Sequence, residues 1–346
     1  MLRMATTVVG MTPKFDSATL KPPQQRRVPL ASGAESAPGL LPIGLASGLT
    51  AVSMAALWGG NVVALKLGLA TFPPFWSAFW RMVIGLAIVG LWALLRGIPL
   101  KPQPGEAKLL LMLGVLFTVQ ISAMNLGVNW TSPAYGVVLM NTYPLFANLI
   151  GHFFVVEDRL SLRRIFGLAL AFGGICIVFL GHPEAGLAPR PLLGNLIVTL
   201  SGLLLGTRTV YTQRLVQAID PIRPVFWQMV VSLPFFLFAG WLWEAPTLQA
   251  VGPRAVLAIA YQGVVIAGLC FIVWTMLLKK HSPGSLSMFA FPTPIFGVLA
   301  SAAFYGEALD SRLWAGLAAV MAGIFIATRP GASGAALPVE TEAAAR

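Results

Sequence analysis

Three cations, Lys66, Arg81 and Arg208, stand inside apolar stretches that hold no aspartate or glutamate. A cation in such a setting must pair with a polar group, face water or reach a polar surface. Arg81 falls nine residues into its stretch, a depth of ~13 Å by helical rise. Arg208 is about as deep from the end of its own. Two roles stand level for both: hydrogen bonding to backbone carbonyls of neighbouring helices, or capture of a ligand carboxylate by a bidentate guanidinium. Lys66 lies near an end, and its long stem suits snorkelling to the surface.

A second set of polar residues shares one stretch. Asn141, Asn148 and His152 are spaced by seven and four, which places them on one face of a continuous helix. That stripe must face the interior of a bundle, because lipid does not tolerate it. Substrate contact and interhelical amide bonding are equally open to it. His152 could carry a proton, but a lone histidine more often serves packing. Gln120, with Ser122 and Asn125, forms a further polar group one stretch earlier. Trp58, Tyr143, Tyr211, Trp227 and Tyr261 could line an amphipathic pocket, as could Trp80 and Trp274. Most of the ten tryptophans suit interface anchoring or packing. Pro144 and Pro294 fall inside apolar stretches, where each removes a backbone donor and frees a carbonyl, so both are candidates for gating kinks.

Nothing in the chain has the pattern of a catalytic site. There is no G-x-S-x-G and no H-E-x-x-H, and the histidines are scattered at 152, 182 and 281. Cys176 and Cys270 stand singly in apolar runs, without a disulfide or metal-ligand spacing. The expectation is no catalytic residue, no metal and no cofactor. No carboxylate lies at mid-depth, which argues against a buried proton relay and for uncoupled or exchange transport.

The elements that must hold these residues follow from composition. The chain of 346 residues is 57% hydrophobic and 10% charged, against about 25% charged in soluble domains. A cytosolic globular enzyme is excluded, and a polytopic membrane protein is indicated. The uncharged run 109–156 is long enough for two crossings and breaks at Asn129–Pro133. Reading every run this way predicts an all-α integral membrane protein of ten transmembrane helices. They are expected near 43–67, 72–95, 106–128, 132–155, 163–181, 192–214, 222–243, 254–278, 283–305 and 312–328. Residues 1–42 read as a disordered N-tail, and 329–346 as a C-tail.

Ten crossings place both termini on one side. With the termini in the cytoplasm, only Arg190, Arg254 and Arg312 of the 23 lysines and arginines fall in outer loops, a strong positive-inside bias. The net charge of +11 therefore reads as topology and contact with anionic lipid, not as nucleic-acid binding.

The chain also repeats itself. Phe79-Trp80-Arg81-Met82-Val83 matches Phe226-Trp227-Gln228-Met229-Val230 at an offset of 147, as Gly59 matches Gly206 and Asn61 matches Arg208. At an offset of 150, Pro144 pairs with Pro294, Phe146 with Phe296 and Glu157 with Glu307. The expected units are 43–181 and 182–328, five spans each. An odd number of spans inverts the second copy, the construction of many secondary transporters with a substrate path between the halves. The Gly-rich fifth and tenth spans suit a scaffold or a dimer face.

Trp58-Gly59-Gly60-Asn61 with Lys66, Arg81, Pro144 and Glu157, and the second copy Pro294 and Glu307, resemble the EamA-type branch of the drug/metabolite transporter superfamily. The resemblance covers roughly residues 43–328. It implies a ten-helix exporter of amino acids or related metabolites in a bacterial inner membrane. The expected function is export of small metabolites, hydrophobic or aromatic amino acids among them, by alternating access. The alternatives are a carrier of organic anions or phosphorylated sugars and, in another class, an intramembrane enzyme acting on lipid. The expected partners are a small-molecule substrate and the lipid bilayer, in a monomer or homodimer.

Overall fold

Prolines open several of the helices of this chain. The computed structural model describes residues 44–154, 162–244, 251–281 and 292–328. In it Pro74, Pro133, Pro191 and Pro253 each stand in the first turn of a helix, where the missing N–H has no intrahelical partner to lose. The first repeat carries α1 (Leu45–Leu69), α2 (Pro74–Leu95), α3 (Glu106–Trp130), α4 (Pro133–Met140), α5 (Tyr143–Phe154) and α6 (Leu162–Phe179). The second carries α7 (Pro191–Ala218), α8 (Ile222–Trp243), α9 (Pro253–Lys280), α10 (Thr293–Tyr305) and α11 (Ser311–Thr328). Within α9 the stretch Tyr261–Cys270 is π-helical.

Every regular element among the described residues is helical. Among the described residues six helices, α1, α2, α3, α7, α8 and α9, are long and apolar enough to cross a membrane, and the apolar parts of α6, α10 and α11 are shorter. Large apolar side chains such as Leu94, Phe238 and Trp241 are exposed on the outside, a surface made for lipid rather than water.

The fourth crossing differs from expectation. It is not one helix: α4 ends at Met140 and α5 starts at Tyr143. Pro144 has no N–H to offer the Met140 carbonyl, so the ladder stops there. Local side chains take over part of the task. Asn141 Nδ2 donates to the Val137 carbonyl at 2.8 Å, and Thr142 Oγ1 to that of Leu139 at 2.6 Å. The break interrupts the continuous helix on which the spacing of Asn141, Asn148 and His152 was read. The side chains of Asn148 and His152, and all of Glu157, lie outside the described residues.

Close backbone approach explains two sets of glycines. A Cβ on Gly174 would stand 2.7 Å from Val320 N, and one on Gly323 2.5 Å from Ala171 N. The Gly-rich faces of α6 and α11 are therefore consumed against each other within one molecule. Gly59 approaches Thr293 O and Gly297 N on α10 just as Gly206 approaches Tyr143 O and Ala147 N on α5. These two contacts correspond residue for residue under the sequence offsets.

Candidate binding site

Both repeats wall one cavity of about 160 Å³, roughly ten times the room a single water needs. The first repeat contributes Trp58 and Asn61 from α1, Arg81 from α2, Gln120 and Met124 from α3, and Asn141 and Tyr143 from the break between α4 and α5. The second contributes Arg208 and Thr212 from α7, Gln228 from α8, Phe271 and Trp274 from α9, and Thr293 from α10. Trp58 and Trp274 meet edge to face across the halves, with centroids 4.9 Å apart.

The two arginines are held differently. Arg81 is 2% exposed, and its Nη1 donates to Gln262 Oε1 at 3.4 Å. Gln262 is anchored in turn by donating from Nε2 to the Ala64 carbonyl at 3.1 Å. The Nε and Nη2 groups of Arg81 are buried without a partner. Those two nitrogens form one edge of the guanidinium fork, the edge that takes a carboxylate side-on. Arg208 donates from Nη1 to Gln228 Oε1 at 3.2 Å. Its guanidinium also lies over the rings of Phe117 at 5.0 Å and Phe271 at 5.7 Å, a cation–π arrangement.

Three acceptors complete the polar set. Asn61 Oδ1, Gln120 Oε1 and Thr293 Oγ1 are buried without hydrogen-bond partners. Gln120 is fixed in place by its Nε2, which donates to Ser201 Oγ at 3.0 Å. Buried polar groups are nearly always satisfied in folded proteins. A cluster of unpartnered donors and acceptors on residues that line one cavity could receive a polar ligand.

Eight of the residues singled out from the sequence thus meet here: Trp58, Asn61, Arg81, Gln120, Asn141, Tyr143, Arg208 and Trp274. Three aromatics do not line the cavity but tie helices and loops together. Tyr211 OH donates to the Leu109 carbonyl, Trp227 Nε1 to that of Leu100, and Tyr261 OH to that of Leu57. Each places its apolar ring against the protein and its polar tip on a carbonyl. Pro294 stands in the first turn of α10 rather than within it, and Pro144 directly follows the break.

Lys66 does not snorkel. Its ammonium donates to the carbonyls of Val128, Asn129 and Thr131 at 2.8–3.0 Å. The end of α3 leaves carbonyls without intrahelical partners and a partial negative charge, which a cation satisfies. Gln228 and Gln262 were not singled out. Gln228 had a signal, since it aligns with Arg81 in the repeat; Gln262 had none beyond being polar in an apolar run.

The sequence pattern of the EamA-like transporter family matches residues 46–180 and again 192–329. A probable amino-acid metabolite efflux pump of Salmonella typhimurium is 24% identical, over 81% of this chain and 93% of its own. An uncharacterized transporter of Bacillus subtilis is 23% identical, over 80% of this chain and 94% of its own. One of Synechocystis is 27% identical, over 81% and 89%. A crystal structure of another protein superimposes with a TM-score of 0.61 at 18% identity, covering 82% of this chain and 98% of that one.

Proposed function

Because the chain belongs to the EamA-like transporter family, we propose that this multi-pass membrane protein exports small carboxylate-bearing metabolites, amino acids foremost, by alternating access. The observation that carries this reading is that Arg81, which lines a cavity walled by both repeats, keeps its Nε–Nη2 edge buried without a partner. A guanidinium so placed stabilises a carboxylate through two parallel charge-assisted bonds. The aromatic and methionine side chains around it suit an apolar or aromatic remainder.

The proposed architecture is ten crossings in two inverted halves, 43–181 and 182–328, with both termini in the cytoplasm of a bacterial inner membrane. The positive-inside bias supports the orientation. The matching approaches of Gly59 to α10 and Gly206 to α5 support a two-fold relation between the halves. In that orientation Thr212, Val225 and Leu278, which line the cavity, lie toward the cytoplasmic ends of their helices. Cargo would then enter from the cell interior, as export requires. No carboxylate stands among the described lining residues, which supports uncoupled or exchange transport.

A carrier of organic anions or phosphorylated sugars is the second reading. It is favoured by two guanidiniums in one cavity, whose field attracts a dianion. Purified protein in proteoliposomes, offered a panel of amino acids, dicarboxylates and sugar phosphates with and without a pH gradient, separates the two. The first reading requires amino-acid flux that persists when the gradient is collapsed. Flux of sugar phosphate alone would replace it with the second.

A further inference from the structure

The repeat places an arginine and an amide at the same pair of positions in each half, with their order exchanged. Asn61 and Arg81 in the first half correspond to Arg208 and Gln228 in the second. In the second pair Arg208 Nη1 donates to Gln228 Oε1 at 3.2 Å, and the guanidinium lies over the rings of Phe117 and Phe271. The first pair is open. Asn61 Oδ1 has no partner, and neither do Nε and Nη2 of Arg81, whose Nη1 donates to Gln262. Asn61 is 8% exposed and Gln120 1%, so these are built positions, not surface polar groups.

Beside the Thr293 hydroxyl, which can donate or accept, the unpartnered lining atoms are of two kinds: a two-donor edge on Arg81, and amide oxygens on Asn61 and Gln120. A simple carboxylate would satisfy the edge and leave the oxygens empty. A dianion, which also brings only acceptors, would leave them empty as well. A group with a carboxylate and an ammonium close together satisfies both kinds. We infer that the space between Asn61, Arg81 and Gln120 is the head-group site for a zwitterion, with Arg81 taking the carboxylate and the two amide oxygens accepting from the ammonium. Asn61 and Gln120 are then the residues that tell an amino acid from a plain carboxylic acid.

This inference rests on the reading of the chain as an amino-acid exporter, and one experiment separates the two. L-leucine and L-phenylalanine are titrated against purified, monodisperse protein beside their deaminated counterparts, 4-methylpentanoate and 3-phenylpropanoate. Wild type should bind at least one amino acid about tenfold or more tighter than its deaminated partner, the usual value of a hydrogen bond to a charged group. Asn61→Ala, and separately Gln120→Leu, should shrink that ratio to about threefold or less. Affinity for the deaminated acid should stay near wild type, which also reports that the variant is folded. Equal binding of both members by wild type, or a tenfold ratio surviving in both variants, overturns the head-group assignment alone. Binding of neither pair by wild type overturns the amino-acid reading and this inference with it.

Discussion

Arg208 and Gln228 close on each other at 3.2 Å, whereas the aligned residues Asn61 and Arg81 each keep unpartnered polar atoms. The asymmetry assigns different tasks to the two deep arginines. Arg208 already has an amide oxygen and two ring faces, and a lysine ammonium could use the same partners. Arg208→Lys is therefore expected to change ligand affinity by less than about threefold. The measurement is equilibrium binding on the monodisperse fraction.

Lys66 should be a stability residue. Its ammonium meets three carbonyls at the end of α3, and a methionine there would leave them unsatisfied. Lys66→Met is expected to lower unfolding free energy by ~1.5–3 kcal/mol, the scale of hydrogen bonds to a charged group. Reversible unfolding in detergent checks this, and an unchanged midpoint would mean that the ammonium reaches the surface instead.

The contact between α6 and α11 leaves no room for a side chain. Gly323→Val would drive its Cβ to 2.5 Å from both Ala171 N and Gly167 O, which are backbone and cannot swing away. The expected outcome is a loss of ~1–3 kcal/mol or more from overpacking, visible as reduced monodisperse yield. Relative affinities among ligands should be unchanged in the surviving protein, because neither helix lines the cavity.

Asp310 predicts a pH effect outside the membrane. It accepts from the backbone N–H groups of Arg312 and His182, which tie the start of α11 to the end of α6. The Arg312 amide, aided by the His182 amide and Ser311, holds its carboxyl below the usual 3.8. A depressed acid contributes stability that is full above its unfolded value and lost as pH falls through the folded one. Thermal stability of wild type should therefore drop as pH falls below about 3.8. Asp310→Asn should remove that part of the decline, and parallel curves for the two proteins would contradict the assignment.

Much of this was legible in the sequence, for identifiable reasons. Uncharged runs fix helices because a crossing must be apolar throughout, and Arg81, Arg208, Asn61 and Gln120 stood out as polar groups that lipid would not tolerate. The break at Asn141–Thr142 was not legible. A proline tells that the ladder weakens but not whether the helix bends or ends, which depends on the side chains that take over the freed carbonyls. Lys66 misled because spacing gives its depth but not the nearby end of α3. Gln262 was invisible because its role depends on the approach of α9 to α2, a contact between residues far apart in the chain.

The central claim is that the Nε–Nη2 edge of Arg81 receives the carboxylate of the transported metabolite. The most direct measurement is the affinity of purified, monodisperse Arg81→Lys for the best amino-acid ligand of the wild type. Lysine keeps the charge but cannot present a two-donor edge. The variant should therefore fold, insert and bind about one to two decades more weakly, the equivalent of ~1.5–3 kcal/mol. Wild-type affinity in a well-folded Arg81→Lys would contradict the account and return Arg81 to a purely structural role.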